Sequence, residues 1–364
     1  MAIFDLIRKQ DHQAVVFCSD PETGLRAIIA IHDTSLGPAL GGCRMKSYAT
    51  EQDALVDVLN LSRAMTYKAS AAGLNLGGGK SVVMLDHPSQ KTPALLKAFA
   101  ERIALLKGTY IGAGDVGSNT DDLKIMHQYC PHIVGLSKED GGLGDSAILT
   151  SLGVFMGLKA AVAERLGQES MQGIRVAVQG AGKVGYHLVG HLLEAGCHVL
   201  ISDPNDAAVQ HIKDAYPAVE MCPGEALYEK EVDIFSPNAI GGLLTQEVAR
   251  FLKAKIVAGG ANNPLGDELV GTILHQRNIL YAPDFVINAG GLMMVAAEIQ
   301  HVTFEQAEAQ VRGIYDKTRE VFEYAKSHQM LPWNAAQAIA MHRIENARKQ
   351  KAQGSAARET AVSR

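Results

Sequence analysis

IRVAVQGAGKVGYHLVGHLLEAGCHVLISD, residues 174–203, decides the fold of the second half of the chain. An apolar, β-branched stretch runs into Gly180-x-Gly182-x-x-Gly185, with Lys183 and Val184 inside the motif. A helical stretch follows, then a second apolar strand, then Asp203, 18 residues beyond Gly185. Three glycines alone carry little weight. Strand, glycines, helix, second strand and terminal acid at these separations form the pattern of a dinucleotide-binding βαβ unit. The glycines allow a tight turn and let the backbone approach a pyrophosphate. The helix start offers unpaired N–H groups and the positive end of its dipole. Asp203 can accept hydrogen bonds from ribose hydroxyls and would repel a 2'-phosphate. No arginine stands beside it, which favours NAD over NADP. The competing reading is a structural βαβ unit whose glycines only pack helix on strand.

Outward from this segment the alternation continues. Apolar strands end at Gln179, Asp203, Ser236, Ala258 and Ala282, each followed by a loop and a helical pattern. Such β-α repeats imply a doubly wound parallel sheet covered on both faces. Asn238, Asn262, Asn263 and Asn288 follow strand ends, where residues of such sheets face a ligand crevice. Upstream, the glycine-rich GLSKEDGGLGDSAILT, residues 135–150, is the best boundary candidate. The expected division is 1–144, 145–330 and a C-terminal helix with a mobile tail over 331–364. The helix is expected over 335–349. The first region mixes elements. AVVFCSD and LRAIIAIHD flank the turn sequence PETG and read as a hairpin. From Glu51 the spacing of Leu55, Val58, Leu59, Ser62 and Met65 is helical, behind Thr50 as N-cap. A strand is expected over 81–86, after a glycine loop, and another helix over 92–107.

Composition narrows the functional classes. Of 364 residues, 47% are hydrophobic and 20% charged, enough to fill two cores. The net charge of -5 argues against a nucleic-acid binder relying on phosphate attraction. The apolar runs at 153–158 and 286–297 are too short to span a bilayer, and the first ten residues do not read as a secretion signal. Five scattered cysteines with no C-x-x-C spacing suit a reducing, cytoplasmic setting and argue against a zinc knuckle. No metal is expected. His187 and His191 have i, i+4 spacing but lack the glutamate of H-E-x-x-H, so they read as packing or surface residues. Cys43 reads as a small buried residue.

The first region should carry the chemistry. Lys68 lies near a helix end in MTYKASAAG, and Lys80 follows LNLGGG. A lysine after a loop without side chains, entering an apolar strand, is an unusual setting. Desolvation and a second nearby cation would lower its pKa to about 7–8, where it could shuttle protons. Asp115 sits in a glycine-flanked turn in IGAGDVGSNTDD, whereas Asp121 and Asp122 suit the start of a helix. Two lysines and a carboxylate, with NAD, suit oxidation of an amine that bears a neighbouring carboxylate.

LGPALGGCRM, MTYKASAAGLNLGGGK, DVG, VQGAGKVGYHL, AGGANN and YAPDFVINAGG together resemble, in order, segments of the glutamate/leucine/phenylalanine/valine dehydrogenase superfamily, most closely its leucine-acting branch. The resemblance spans roughly residues 10–330. It implies an N-terminal α/β substrate domain, a Rossmann-type NAD-binding domain, a cleft between them and a chain end returning to the first domain. It also implies homo-oligomers of unspecified size. By the same resemblance Lys68 would hold the substrate α-carboxylate, Lys80 would activate water and polarise the carbonyl, and Asp115 would exchange a proton with the substrate nitrogen. Gly41, Gly42 and Met65 would line the reacting site, and Thr150 and Asn262 would position nicotinamide. The implied reaction converts an L-amino acid, NAD and water into a 2-oxo acid, ammonium and NADH.

Leu40, Ala113, Leu292 and Val295 fall where relatives contact the substrate side chain. All four are apolar, so a γ-carboxylate would enter unpaired, at a cost of several kcal/mol. Leucine, valine and isoleucine differ by about one methylene, worth only ~1–3 kcal/mol. Gly79, Gly114, Cys43 and the 135–150 loop depart from the leucine-acting pattern, which keeps phenylalanine or tryptophan open as substrates. Two other classes compete: a lyase using Lys80 as a Schiff base, and an NAD-sensing regulator. The regulator would need only the second region and would leave Lys68, Lys80 and Asp115 unexplained.

Overall fold

A computed structural model describes residues 3–362, with side chains described to residue 353. The chain divides into two units. One takes the chain up to Gly144, Val295–Thr303 and everything from Ala340 onward. The other takes Asp145–Met294 and Phe304–Ile339.

The first unit is built on five strands: β1 (Ala14–Asp20), β2 (Leu25–Asp33), β3 (Ala39–Lys46), β4 (Gly77–Met84) and β5 (Tyr110–Gly114). Their order is β1-β2-β4-β3-β5. The hairpin β1–β2 pairs from Ala14↔Ile31 to Asp20↔Leu25, as the PETG turn demands. β3 lies between β4 and β5 and is parallel to both. Strand alternation sends successive side chains to opposite faces. Ala39, Cys43, Met45, Val83 and Tyr110 join one core with Leu95, Phe99 and Ile103 of the helix Pro93–Ala104. Ile28, Ala30 and Val82 join another with Ala54, Leu55, Val58 and Leu59 of the helix Glu51–Ala71, which Thr50 caps.

The glycine run before Lys80 is not a loop. Gly77, Gly78 and Gly79 are buried residues of β4. A Cβ added at Gly77 would lie 1.9 Å from the Asp33 carbonyl oxygen, and one at Gly78 would lie 2.1 Å from Thr66 N. At Gly79 it would lie 2.7 Å from the Tyr110 ring. Close packing, not turning, requires these glycines.

The second unit holds six parallel strands: β6 (Arg175–Gln179), β7 (His198–Ser202), β8 (Glu220–Met221), β9 (Ile234–Pro237), β10 (Ile256–Val257) and β11 (Leu280–Tyr281). The order β11-β10-β9-β6-β7-β8 is that of a Rossmann sheet, with its switch point between β6 and β9. The helix Ser146–Leu166 starts inside the expected boundary loop, capped by Asp145. It is long and apolar enough to cross a membrane by composition, but 67% of its apolar window is buried inside the fold. At Gly157 an added Cβ would lie 2.3 Å from Ile287, so this is a packed core helix.

The last helix runs over Pro332–Val362, beyond both ends of the expected 335–349. The added residues are mostly alanine and straight-chain types with high helix propensity, which outweigh one glycine. The expected mobile tail therefore begins in helix and reaches past the described residues at 363 and 364. Arg343 donates from this helix to the carbonyls of Leu74 at 2.6 Å and Gly73 at 3.3 Å. Arg348 lies 2.7 Å from the fully buried Asp33 carboxylate.

Beneath the helix Glu51–Ala71 lie two buried histidines whose rings meet edge to face at 4.8 Å. His12 Nε2 is 2.7 Å from Ser62 Oγ, and His32 Nδ1 is 2.8 Å from Thr66 Oγ1. Burial first, and each other's charge for His12, push both pKa values down to about 4. The folded state thus holds them neutral while the unfolded chain takes up protons near 6.5. Their contribution is complete above pH 6.5 and is lost as pH falls toward 4. Urea unfolding midpoints should drop across this window with a slope of about two protons. A midpoint that stays flat over the same window would contradict the buried, neutral pair.

Candidate active site

Lys80 on β4 and Asp115, the residue after β5, project from the same face of the first sheet and form an ion pair through Nζ and Oδ2. Both are shielded, with side chains 8% and 14% exposed. Their strands are not neighbours, since β3 runs between them. Adjacent strands stand about 4.8 Å apart, so the lysine must reach across β3. It can do so because the crossing point is Gly42. A Cβ there would lie 2.7 Å from Asp115 Cβ and 3.1 Å from Lys80 Nζ. Gly41 is equally constrained, with its virtual Cβ 1.7 Å from the Gly79 carbonyl oxygen. The Tyr110 hydroxyl donates to the Gly41 carbonyl at 2.9 Å and fixes this stretch from below. The charge paired with Lys80 is therefore an anion, the Asp115 carboxylate.

Burial acts to raise the Asp115 pKa. The Lys80 ammonium, the Arg44 guanidinium and the Val116 N–H outweigh it and hold the carboxyl below its ordinary range. Arg44 Nε lies 3.3 Å from Asp115 Oδ2, and Val116 N donates to Oδ1 at 2.7 Å. Arg44 Nη1 donates to both oxygens of Asp57, at 3.2 and 3.0 Å. Arg44 and Asp57 were not among the sequence candidates. The period-2 pattern of β3 could have found Arg44, because Leu40, Gly42 and Arg44 share the face of Lys80.

The remaining first-unit candidates lie on β3, on β5 and on two helices. Leu40 and Ala113 are buried on β3 and β5 of that face. Met65 and Lys68 are half-buried in the last turns of the helix Glu51–Ala71. Val295 belongs to this unit, whereas Leu292, on the same helix Gly290–Ile299, belongs to the other.

In the second unit the three motif glycines differ in kind. Gly180 has φ 109°, open only to glycine without strain. A Cβ on Gly185 would lie 2.0 Å from the Gly180 carbonyl oxygen. A Cβ on Gly182 would meet nothing within 4 Å. Gly182 precedes the helix Lys183–Glu194 and leaves its first N–H groups without a side-chain cap. Asp203 Oδ2 accepts from Ala181 N, and Oδ1 from Asn205 N, both at 2.8 Å. Each oxygen keeps a lone pair for a further donor. Lys183 pairs instead with Asp145 at 2.9 Å, and Val184 is half-buried.

At the carboxyl ends of β9 and β10 the asparagines form a network. Asn238 Oδ1 accepts from Gly260 N at 2.8 Å. Asn288 Nδ2 donates to the Gly260 carbonyl at 3.1 Å and to Asn262 Oδ1 at 2.9 Å. Asn288 Oδ1 is buried with no partner among the described residues. Asn263 is a turn residue at φ 48° whose N–H is taken by Asp284. Thr150 Oγ1 donates to the Ser146 carbonyl at 2.8 Å. An uncapped helix start, empty space at Gly182, a receptive Asp203 and an orphaned acceptor all fit a dinucleotide. His191 stacks on Phe155 at 5.6 Å, which accounts for it as packing. Among the described residues no cluster could hold a metal.

Two family models match: "Glu/Leu/Phe/Val dehydrogenase, dimerisation domain" over residues 12–132 and "Glutamate/Leucine/Phenylalanine/Valine dehydrogenase" over 200–354. The chain is 44% identical to a leucine dehydrogenase of Geobacillus stearothermophilus, over 96% of this chain and 95% of that protein. It is 45% identical to a valine dehydrogenase of Streptomyces virginiae, over 93% and 95%. The crystal structure of an L-tryptophan dehydrogenase from Nostoc punctiforme superposes with a TM-score of 0.85, at 39% identity, covering 95% of this chain and all of that one.

The contrast between Gly182 and Gly185 can be measured. Gly182→Ala should change stability by less than about 1 kcal/mol, the loss of a glycine N-cap, yet weaken dinucleotide binding. Gly185→Ala should destabilise by about 1–3 kcal/mol through overpacking. Denaturant midpoints and NADH fluorescence titration read the two effects. Unchanged affinity in Gly182→Ala would show that its open space is not the binding surface.

Proposed function

Because the chain belongs to the Glu/Leu/Phe/Val dehydrogenase family, and is thereby an amino acid dehydrogenase, we propose that it deaminates leucine, valine or isoleucine reversibly with NAD. The observation that carries this reading is the shielded Lys80–Asp115 pair spanning Gly42. Family membership sets aside the Schiff-base lyase and the regulator.

The roles follow from the charges. Lys68 binds the α-carboxylate. Asp115, ionised at neutral pH, takes a proton from the substrate ammonium, and the freed lone pair allows hydride to leave the α-carbon. A bound nicotinamide supplies the hydride acceptor. Lys80 then orients water against the iminium carbon and stabilises the oxygen as a carbinolamine forms and the water gives up one proton to solvent. Asp115 returns its proton to nitrogen, ammonia departs as the carbonyl forms, and the hydroxyl proton released with it converts the ammonia to ammonium. The products are 2-oxo acid, ammonium, NADH and a proton. Gly41, Gly42 and Met65 border the substrate, with Leu40, Ala113, Leu292 and Val295 as its apolar surroundings. Gly180, Gly182, Gly185, Lys183, Val184 and Asp203 serve the phosphates and ribose. Thr150, Asn238, Asn262 and Asn288 serve the nicotinamide end. The Asp203 carboxylate supports NAD over NADP, since it would face a 2'-phosphate with like charge. The five cysteines are all unpaired, which supports a reducing cytoplasmic setting. Self-association is part of the proposal, supported by the dimerisation-domain description of the first family model.

The tryptophan dehydrogenase likeness favours an aromatic side chain as the second reading. Initial rates of NAD and NADP reduction across leucine, valine, isoleucine, phenylalanine, tryptophan and glutamate separate the two. The branched-chain reading expects turnover on the first three with NAD and essentially none on glutamate. A preference for tryptophan would replace it. Lys80→Ala and Asp115→Asn should each lower kcat by at least about 100-fold while NADH still binds. Near-normal turnover in either would overturn the assigned roles.

A further inference from the structure

The surroundings of Asp115 hold a second cation that the reaction, as assigned, does not use. Arg44 approaches from β3, two residues beyond Gly42 and on the same face. Its Nε lies 3.3 Å from Oδ2, the oxygen that also pairs with Lys80. Its other end is fixed: Nη1 donates to both oxygens of Asp57, on the helix Glu51–Ala71. Asp57 accepts from the Tyr48 hydroxyl at 2.7 Å and lies 3.8 Å from Lys46 Nζ. The side chains of Arg44 and Asp57 are 18% and 25% exposed.

An exposed pair of this kind would contribute little. Here the planar guanidinium is always charged and is held at two points, so its direction is set before substrate arrives. Lys80 must turn to water and the carbonyl oxygen during the reaction. Arg44 has no such duty, and its contact with Asp115 can persist. The other groups facing Asp115 do not substitute for it. Tyr48 after β3 brings no positive charge, and Cys43 and Tyr110 point into the core on the opposite face of the sheet. Ser118 Oγ accepts from the Asp115 N–H, and Val116 supplies only its backbone N–H. Asp57 is an anion, and Lys68, on the same helix, is committed to the substrate carboxylate.

We propose that Arg44, anchored by Asp57, is a positioning residue that keeps the Asp115 carboxylate ionised and aimed while it exchanges protons with the substrate nitrogen. The inference rests on the proposed role of Asp115 as the proton acceptor. Without Arg44, one of two cations opposing burial is lost and the Asp115 carboxyl titrates higher. The acid limb of kcat/KM for deamination moves up with it.

The test uses the full-length enzyme with NAD and its preferred amino acid, comparing wild type, Arg44→Gln, Arg44→Lys and Asp115→Asn across pH. Arg44→Gln should displace the acid limb upward by about one unit and lower kcat about tenfold. Arg44→Lys, which keeps the charge, should return the limb to within about half a unit of wild type. An Arg44→Gln limb at the wild-type position overturns the inference. Asp115→Asn separates the two levels. If it is inactive while the Arg44→Gln limb is unmoved, only the role of Arg44 fails. If it turns over normally, the assigned function of Asp115 fails as well. Should Arg44→Gln not fold, Asp57→Asn takes its place. It releases the anchor, and kcat should fall about tenfold with KM unchanged within about twofold. A wild-type kcat there overturns the inference.

Discussion

A lysine and an aspartate meet inside the first unit across a strand that belongs to neither. Removing two charges from water costs several kcal/mol per ion, and attraction offsets this only where geometry is good and remaining lone pairs are filled. Here the requirement is met from several sides. Lys80 reaches over Gly42, Arg44 shares Oδ2, and Val116 fills Oδ1. The result is a carboxylate that stays ionised despite burial, set beside an ammonium. That combination is what proton exchange with an amine and activation of water both need.

Glycine is the material of both units, but for opposite reasons. In the first sheet Gly41, Gly42 and the run Gly77–Gly79 let backbones and charged groups approach where a Cβ could not fit. In the second, Gly185 packs the helix against the loop in the same way, while Gly182 leaves space that the protein itself does not fill. The first use creates the reactive pair. The second leaves a surface at a helix start where phosphate can bind.

Much of this was legible in the sequence. The βαβ segment around Gly180 and the strand ends that follow it predicted a doubly wound parallel sheet, whose strand order the structure supplies. The β1–β2 hairpin and the Thr50 cap followed from local turn and capping chemistry. The glycines before Lys80 misled, since a run of glycine reads as a loop until the neighbours that crowd it are known. Thr66, Asp33 and Tyr110, which impose the strand, come from three other elements. The Arg44–Asp57–Asp115 chain was hidden for a similar reason. Its members sit on a strand, a helix and a following turn, and only the sheet order brings them together. The asparagine network was half visible: strand-end positions could be read, but not that Asn288 would bridge Gly260 and Asn262 and keep one oxygen unpartnered.

The most direct measurement of the central idea is the kinetics of Gly42→Ala. A single methyl group there occupies the path by which Lys80 reaches Asp115. The account predicts a fall in kcat of about 100-fold, the scale of a misplacement near 1 Å, with the Rossmann unit still binding NADH. An alanine enzyme with wild-type kcat would mean that the ion pair across the bare strand is not where the chemistry occurs.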